Sequence, residues 1–176
     1  IGLNRLWGLN LSRTELMRLG LELGADVPFF IFGQDAFAEG VGEVLTPCPI
    51  PDFKALVVFP NVSVPTAKVF GSPDLTRNTK SIRMLHFPGL VSAFPLALIG
   101  RNDLEPVTRS LCPAVEDAFR LMKPISRPRM TGSGSAVFSA VELGSEVCPL
   151  APLPSGWKQW IVKSLKIHPL SGWIES

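Results

Sequence analysis

Leu19-Gly20-Leu21-Glu22-Leu23-Gly24-Ala25-Asp26-Val27-Pro28-Phe29-Phe30 sets one acid where a helix gives way to a loop. Upstream, Ser12 and Glu15 have capping-box spacing, and Leu16, Leu19 and Leu23 recur on one helical face, which predicts a helix of about three turns. Gly24 is its C-terminal stop. Pro28 disfavours helix for Val27, so Asp26 is expected on a short connection between two hydrophobic elements, where scaffolds hold reactive side chains. Two readings of Asp26 stand side by side: a turn aspartate bonding its own backbone, and a reactive carboxylate.

On the N-terminal side, Ile1-Gly2-Leu3-Asn4-Arg5-Leu6-Trp7 reads like the apolar face of a helix already under way, so the chain is expected to begin inside a domain, as a processed or truncated product. On the C-terminal side, Ala36 to Leu45 has the glycine-punctuated alternation of a strand or hairpin, ended by Pro47, Pro49 and Pro51, and a domain boundary is placed at that proline cluster. Ala55 to Phe59 is an apolar run of buried-strand type, followed by a loop into a short helix through Phe70. Residues 71–101 carry only weak helical signals, interrupted at Pro88 and Pro95. Asn102-Asp103 can cap a helix beginning at Leu104, and Pro113 suits the first turn of another whose Val115, Ala118, Phe119 and Met122 share a face. Arg129-Met130 and the small-residue loop Thr131-Gly132-Ser133-Gly134-Ser135 lead into the strand-like Ala136-Val137-Phe138, and Ile161 to Ile167 is the last strand candidate. Pro149, Pro152 and Pro154 oppose a helix between Leu143 and Gly156.

Composition bounds the chemistry. The 176 residues are 46% hydrophobic and 18% charged, enough to bury a core in one full domain plus a remnant. A net charge of +2, with loose basic clusters at Lys68, Arg77, Lys80 and Arg83 and at Lys158, Lys163 and Lys166, lacks the dense stripe of a nucleic-acid surface. Cys48, Cys112 and Cys148 are an odd set without close spacing, and His86 and His168 are the only histidines, which argues against a disulfide framework and against a zinc site, so no metal-ligating residue is singled out. The longest apolar stretch, Leu90 to Ile99, is too short to span a bilayer. The expectation is a soluble, cytoplasmic protein with no membrane or nucleic-acid partner. Two further features have chemical potential. Glycines in the Thr131–Ser135 loop let backbone N–H groups converge on an anion, although such a loop also serves as a tight turn and here lacks the lysine of a P-loop. Thr66 and Phe70 lie four apart on one helical face, where a hydroxyl and a ring could hold a planar base; by pattern alone, Phe70 reads as a core residue.

Five segments in this order are similar to one family: Leu23 to Phe30, Ala36 to Glu43, Ser63-Val64-Pro65-Thr66-Ala67-Lys68-Val69-Phe70, Asn102-Asp103-Leu104-Glu105, and Met130 to Ser135. Together they resemble the 4-diphosphocytidyl-2-C-methyl-D-erythritol kinase family of the GHMP kinase superfamily. The Gly-Ser-Gly loop and the aspartate would signal the superfamily alone; the long Gly-Ala-Asp-Val-Pro to Glu-Gly-Val-Gly-Glu stretch, with the Val-Pro-Thr to Phe helix behind it, picks out this member. The resemblance is strong over 1–79 and 102–138 and weak between and after.

It implies an α+β, two-layer architecture. Residues 1–50 would be a remnant of the kinase N-terminal domain, and residues 51–176 a C-terminal domain of helices packed on a small, mainly antiparallel sheet. The implied activity is ATP-dependent phosphorylation, with Mg2+, of the 2-hydroxyl of 4-diphosphocytidyl-2-C-methyl-D-erythritol on the methylerythritol phosphate route to isoprenoids, in the cytoplasm or, in a plant or alga, the plastid stroma. Asp26 matches the aspartate that acts on the attacking hydroxyl, and it would face a cleft between the domains. Thr66 and Phe70 match positions that contact the cytidine, and Gly132, Ser133, Gly134 and Ser135 match the motif beside the phosphates. The family's Pro-x-x-x-Gly-Leu-Gly-Gly-Gly-Ser-Ser loop, the lysine that pairs with the aspartate, and an aromatic and a histidine of the cytidine pocket are expected before Ile1. Without them the isolated sequence is expected to be inactive. A sister small-molecule kinase and a non-catalytic binding protein derived from a decayed kinase stay open as alternatives.

Overall fold

Ser12 and Glu15 close the capping box reciprocally: the Ser12 N–H donates to the Glu15 carboxylate at 2.8 Å, and the Glu15 N–H donates to Ser12 Oγ at 3.3 Å. These bonds start helix α2 (Arg13–Leu23) and hold the Glu15 carboxyl below its usual range. The structure is a computed structural model and describes residues 1–80 and 100–174. The weak helical signals of residues 81–99 and the apolar stretch Leu90 to Ile99 lie outside the described residues. The chain divides into two units, Ile1–Ile50 with Leu165–Ser176, and Pro51–Ser164.

In the first unit a short helix α1 (Gly2–Leu6) precedes α2, and the buried Asn4 amide clamps the intervening loop, exchanging two hydrogen bonds of 3.0 and 3.1 Å with the Leu11 backbone. Helix α2 stops at Gly24, whose backbone is extended rather than left-handed. One expectation is corrected immediately downstream. Val27 is helical, the first residue of α3 (Val27–Phe32), because Pro28 falls in the first turn, where a missing N–H has no intrahelical partner to lose. The two helices meet at Gly20, where a Cβ would stand 2.8 Å from Ile31 Cδ1 and 2.9 Å from Val27 Cγ1. Leu19 and Leu23, by contrast, are exposed.

Of the strand or hairpin expected here, the structure holds the hairpin: strands β1 (Ala36–Glu39) and β2 (Val44–Pro47) pair antiparallel from Ala36↔Pro47 to Glu39↔Val44. Its turn is shaped by Glu43, whose carboxylate accepts the Val41 N–H at 2.7 Å. At Gly42 φ is +117°, and a Cβ there would sit 3.1 Å from the Ala25 carbonyl oxygen, so the turn approaches the Gly-Ala-Asp loop as only glycine allows. Gly42→Ala is therefore expected to destabilise this unit by about 1–3 kcal/mol, read as a lowered urea midpoint.

The end of the chain returns to the first unit. The Arg13 guanidinium donates to the Ile31, Phe32 and Ser171 carbonyls, His168 N–H donates to Gly33 O at 2.8 Å, and Gln34 bridges Ile167. The strand expected over Ile161 to Ile167 is thus divided. Lys158–Lys163 is a strand of the second unit, while Leu165 onward groups with the first.

The second unit is built on a four-stranded, fully antiparallel sheet of order β4-β5-β3-β6, formed by β3 (Phe53–Phe59), β4 (Arg129–Met130), β5 (Val137–Glu142) and β6 (Lys158–Lys163). Leu56 and Val58 alternate onto one face of β3 and pack with Val137, Met130 and the stripe Val115, Ala118, Phe119 and Met122 of a helix α6 (Pro113–Met122). Before it run α4 (Thr66–Gly71) and α5 (Leu104–Leu111). Arg109 holds α5 to α6, stacking over the Phe119 ring at 4.3 Å and donating to Glu116 at 2.7 Å, a bond that pulls the Glu116 carboxyl below its ordinary value. Segment 143–157 contains neither helix nor strand. The fold is α+β, and no helix among the described residues is long and apolar enough to cross a membrane.

Candidate functional site

Asp26 heads α3 in the first unit, with φ −82° and ψ −16°. It occupies a capping position, yet its side chain caps nothing; the Val27 N–H instead bonds Gly24 O at 3.1 Å. The residue is exposed, and its carboxylate has no hydrogen bond or ion pair among the described residues. Of its two sequence readings, the turn aspartate bonded to its own backbone is therefore not what the structure holds.

The remaining candidates lie in the second unit. The chain leaves β3 through Val62-Ser63-Val64-Pro65, and Pro65 O accepts the Lys68 and Val69 N–H groups to start α4. On so short a helix one residue takes the core position, and it is Val69, wholly buried. Phe70 follows it around the helix and is 54% exposed, which corrects the reading of this ring as core. Its face is open to a planar ligand. Thr66 Oγ1 at the start of the same helix stands 3.3 Å from Ser133 Oγ, so the sheet joins two features that are 67 residues apart in sequence.

The Thr131–Ser135 loop is a tight turn between β4 and β5. Thr131 N–H donates to Ala136 O at 3.1 Å and Gly134 N–H to Thr131 O at 3.0 Å. Glycines stand where φ is positive, +53° at Gly132 and +95° at Gly134, and a Cβ on Gly134 would press on Met130 Sδ and Thr108 Cγ2 at 3.0 and 3.1 Å. The four candidate residues divide here. Ser135 is buried and gives its hydroxyl to Val62 O at 2.7 Å, and Gly134 has its N–H in the turn. The Gly132 and Ser133 N–H groups have no partner among the described residues. These two N–H groups are the donors the loop leaves open to an anion, since the Thr66 hydroxyl donates to Val64 O at 3.4 Å.

Sequence reasoning missed the residues that hold this loop. Asn102 Oδ1 accepts the Leu104 N–H at 3.1 Å, as its capping role predicts, but its amide also donates to Gly132 O at 2.7 Å and Met130 O at 3.2 Å. Thr108, completely buried, donates to Ser133 O at 3.2 Å, and Glu105 accepts the Met130 N–H at 3.3 Å. The recurrence of polar residues at 102, 105 and 108 was the available signal.

No family model matches the chain. It is 46% identical over 172 residues to the 4-diphosphocytidyl-2-C-methyl-D-erythritol kinase of Janthinobacterium sp. (strain Marseille). It is 47% identical over 173 residues to the protein of that name from Cupriavidus metallidurans. Both matches take in 97% of this chain and 58% of the relative, so the chain spans little more than half the length of the curated relatives it matches. A solved structure described as the crystal structure of 4-(cytidine 5'-diphospho)-2C-methyl-D-erythritol kinase is 32% identical and superposes with a TM-score of 0.59 over 78% of this chain and 50% of that one. The chain is thus related, by sequence and by fold, to the 4-diphosphocytidyl-2-C-methyl-D-erythritol kinases.

Proposed function

We propose that this chain supplies the acceptor-side machinery of an ATP-dependent kinase that phosphorylates the 2-hydroxyl of 4-diphosphocytidyl-2-C-methyl-D-erythritol. The observation that carries this reading is the 46% identity to a kinase of that name across 97% of the chain. Phosphoryl transfer requires little covalent work from a protein, so positioning and charge stabilisation dominate. Asp26, exposed and unbonded, is free to accept the proton of the attacking hydroxyl as transfer proceeds. Phe70 stacks on the cytosine, Thr66 donates or accepts a hydrogen bond beside it, and the Gly132 and Ser133 N–H groups face the phosphates. Mg2+ in such reactions is held mainly by phosphates with one or two carboxylates.

The test is a substrate panel on the protein as its gene encodes it. With ATP labelled at the γ-phosphate, label is expected to pass to the cytidine-diphosphate alcohol with a kcat/KM at least about a hundredfold above that for homoserine or mevalonate, because a pocket built to hydrogen-bond a group rejects analogues that lack it. Preferential labelling of homoserine or mevalonate would overturn the substrate assignment, and no labelling of any acceptor would overturn the kinase reading.

A further inference from the structure

The side chains that touch the Thr131–Ser135 loop from α5 and its approach, Asn102, Glu105 and Thr108, recur every third residue and so lie along one side of the helix. Between them and the turn itself, every carbonyl from Met130 to Ser133 is engaged: Met130 O and Gly132 O by the Asn102 amide, Ser133 O by the Thr108 hydroxyl, and Thr131 O by the Gly134 N–H. Neither the Thr131–Gly132 nor the Gly132–Ser133 peptide is cis, and in a trans peptide the N–H points opposite to the C=O. Turning Gly132 C=O toward Asn102 therefore turns the Ser133 N–H away from it. The bond from Gly134 to Thr131 O orients the Gly132 N–H in the same manner. Such a brace is needed because a Gly-Ser-Gly turn otherwise flips its peptides at little steric cost. A flipped Gly132–Ser133 peptide would present a carbonyl oxygen, which repels an anion, in place of an N–H that attracts one.

We propose that Asn102 and Thr108 are positioning residues for phosphoryl transfer: by holding the loop's carbonyls they keep the Gly132 and Ser133 N–H groups pointed at a phosphate. The proposal rests on the kinase reading for its consequence in turnover, but its physical content concerns anion binding by the loop. Glu105 completes the stripe through the Met130 N–H and also pairs with Arg109 at 3.6 Å, tying the brace to the α5–α6 contact.

The test uses Asn102→Ala, Thr108→Val and Thr108→Ser in the protein as its gene encodes it. Inorganic pyrophosphate is titrated while the amide resonances of Gly132 and Ser133 are followed, and kcat and both KM values are measured alongside. Wild-type amides are expected to shift on titration. Asn102→Ala and Thr108→Val are each expected to weaken pyrophosphate about tenfold and to lower kcat by a similar factor, in keeping with loss of one or two hydrogen bonds. The cytidine substrate's KM should stay within about twofold, and Thr108→Ser, which restores the hydroxyl, should recover both readouts. Asn102 is only partly buried, so its alanine variant tests the idea even where Thr108→Val does not fold. Wild-type amides indifferent to pyrophosphate, or variants that bind it as tightly as wild type, would overturn the proposal. Failure of the kinase reading is distinct, since it would show as absent transfer by wild type with pyrophosphate binding intact.

Discussion

Asp26→Asn is expected to lower kcat about 10²- to 10⁴-fold, the range that a positioned general base contributes. The substitution keeps the size of the side chain and removes its capacity to take a proton. Little else is lost with it. The side chain is exposed, caps no helix and has no bond among the described residues, so its removal leaves no buried group unsatisfied. The unfolding midpoint should accordingly match wild type, and substrate KM should change far less than kcat. This combination separates a catalytic carboxylate from a structural turn residue, for which stability would fall and turnover would follow it. Turnover near the wild-type level would remove Asp26 from the mechanism.

Phe70→Ala is expected to raise KM for the cytidine substrate about 5- to 150-fold, since stacking on an aromatic ring contributes about 1–3 kcal/mol per base. KM for ATP should stay near its wild-type value. The ring is more than half exposed and the core position beside it belongs to Val69, so the cost in stability is expected to be small. Phe70→Trp, which keeps a stacking face, should recover most of the affinity. Equal increases in both KM values would mean that the ring shapes the fold rather than the cytidine subsite.

The capping box at Ser12 and Glu15, the hairpin over 36–47 and the apolar stripe of α6 were all legible, because each rests on residues within one or two turns of one another. Pro28 misled for a reason equally local. The rule that proline opposes helix before it yields when the pair opens a helix, and nothing nearby in sequence separates the two cases. Phe70 failed differently, since a helix of six residues is too short for periodicity to say which of two adjacent apolar side chains faces the core. The grouping of Leu165–Ser176 with the first unit goes with contacts far apart in sequence, among them Arg13 to the Ser171 carbonyl, 158 residues away, and His168 N–H to Gly33 O.

By itself, then, the sequence determined the chemistry available: an aspartate after a helix stop, a threonine and an aromatic on a short helix, and a glycine-rich turn before a strand. Only the tertiary structure decided which of these groups are free to act. It left Asp26 without a capping bond, put Phe70 outward and Val69 inward, brought Thr66 beside Ser133, and turned the loop's carbonyls onto Asn102 and Thr108 while leaving two N–H groups open. The physical reason is that a hydrogen bond between residues 25 to 67 positions apart exists only once the sheet and α5 have packed, and local pattern carries no record of it.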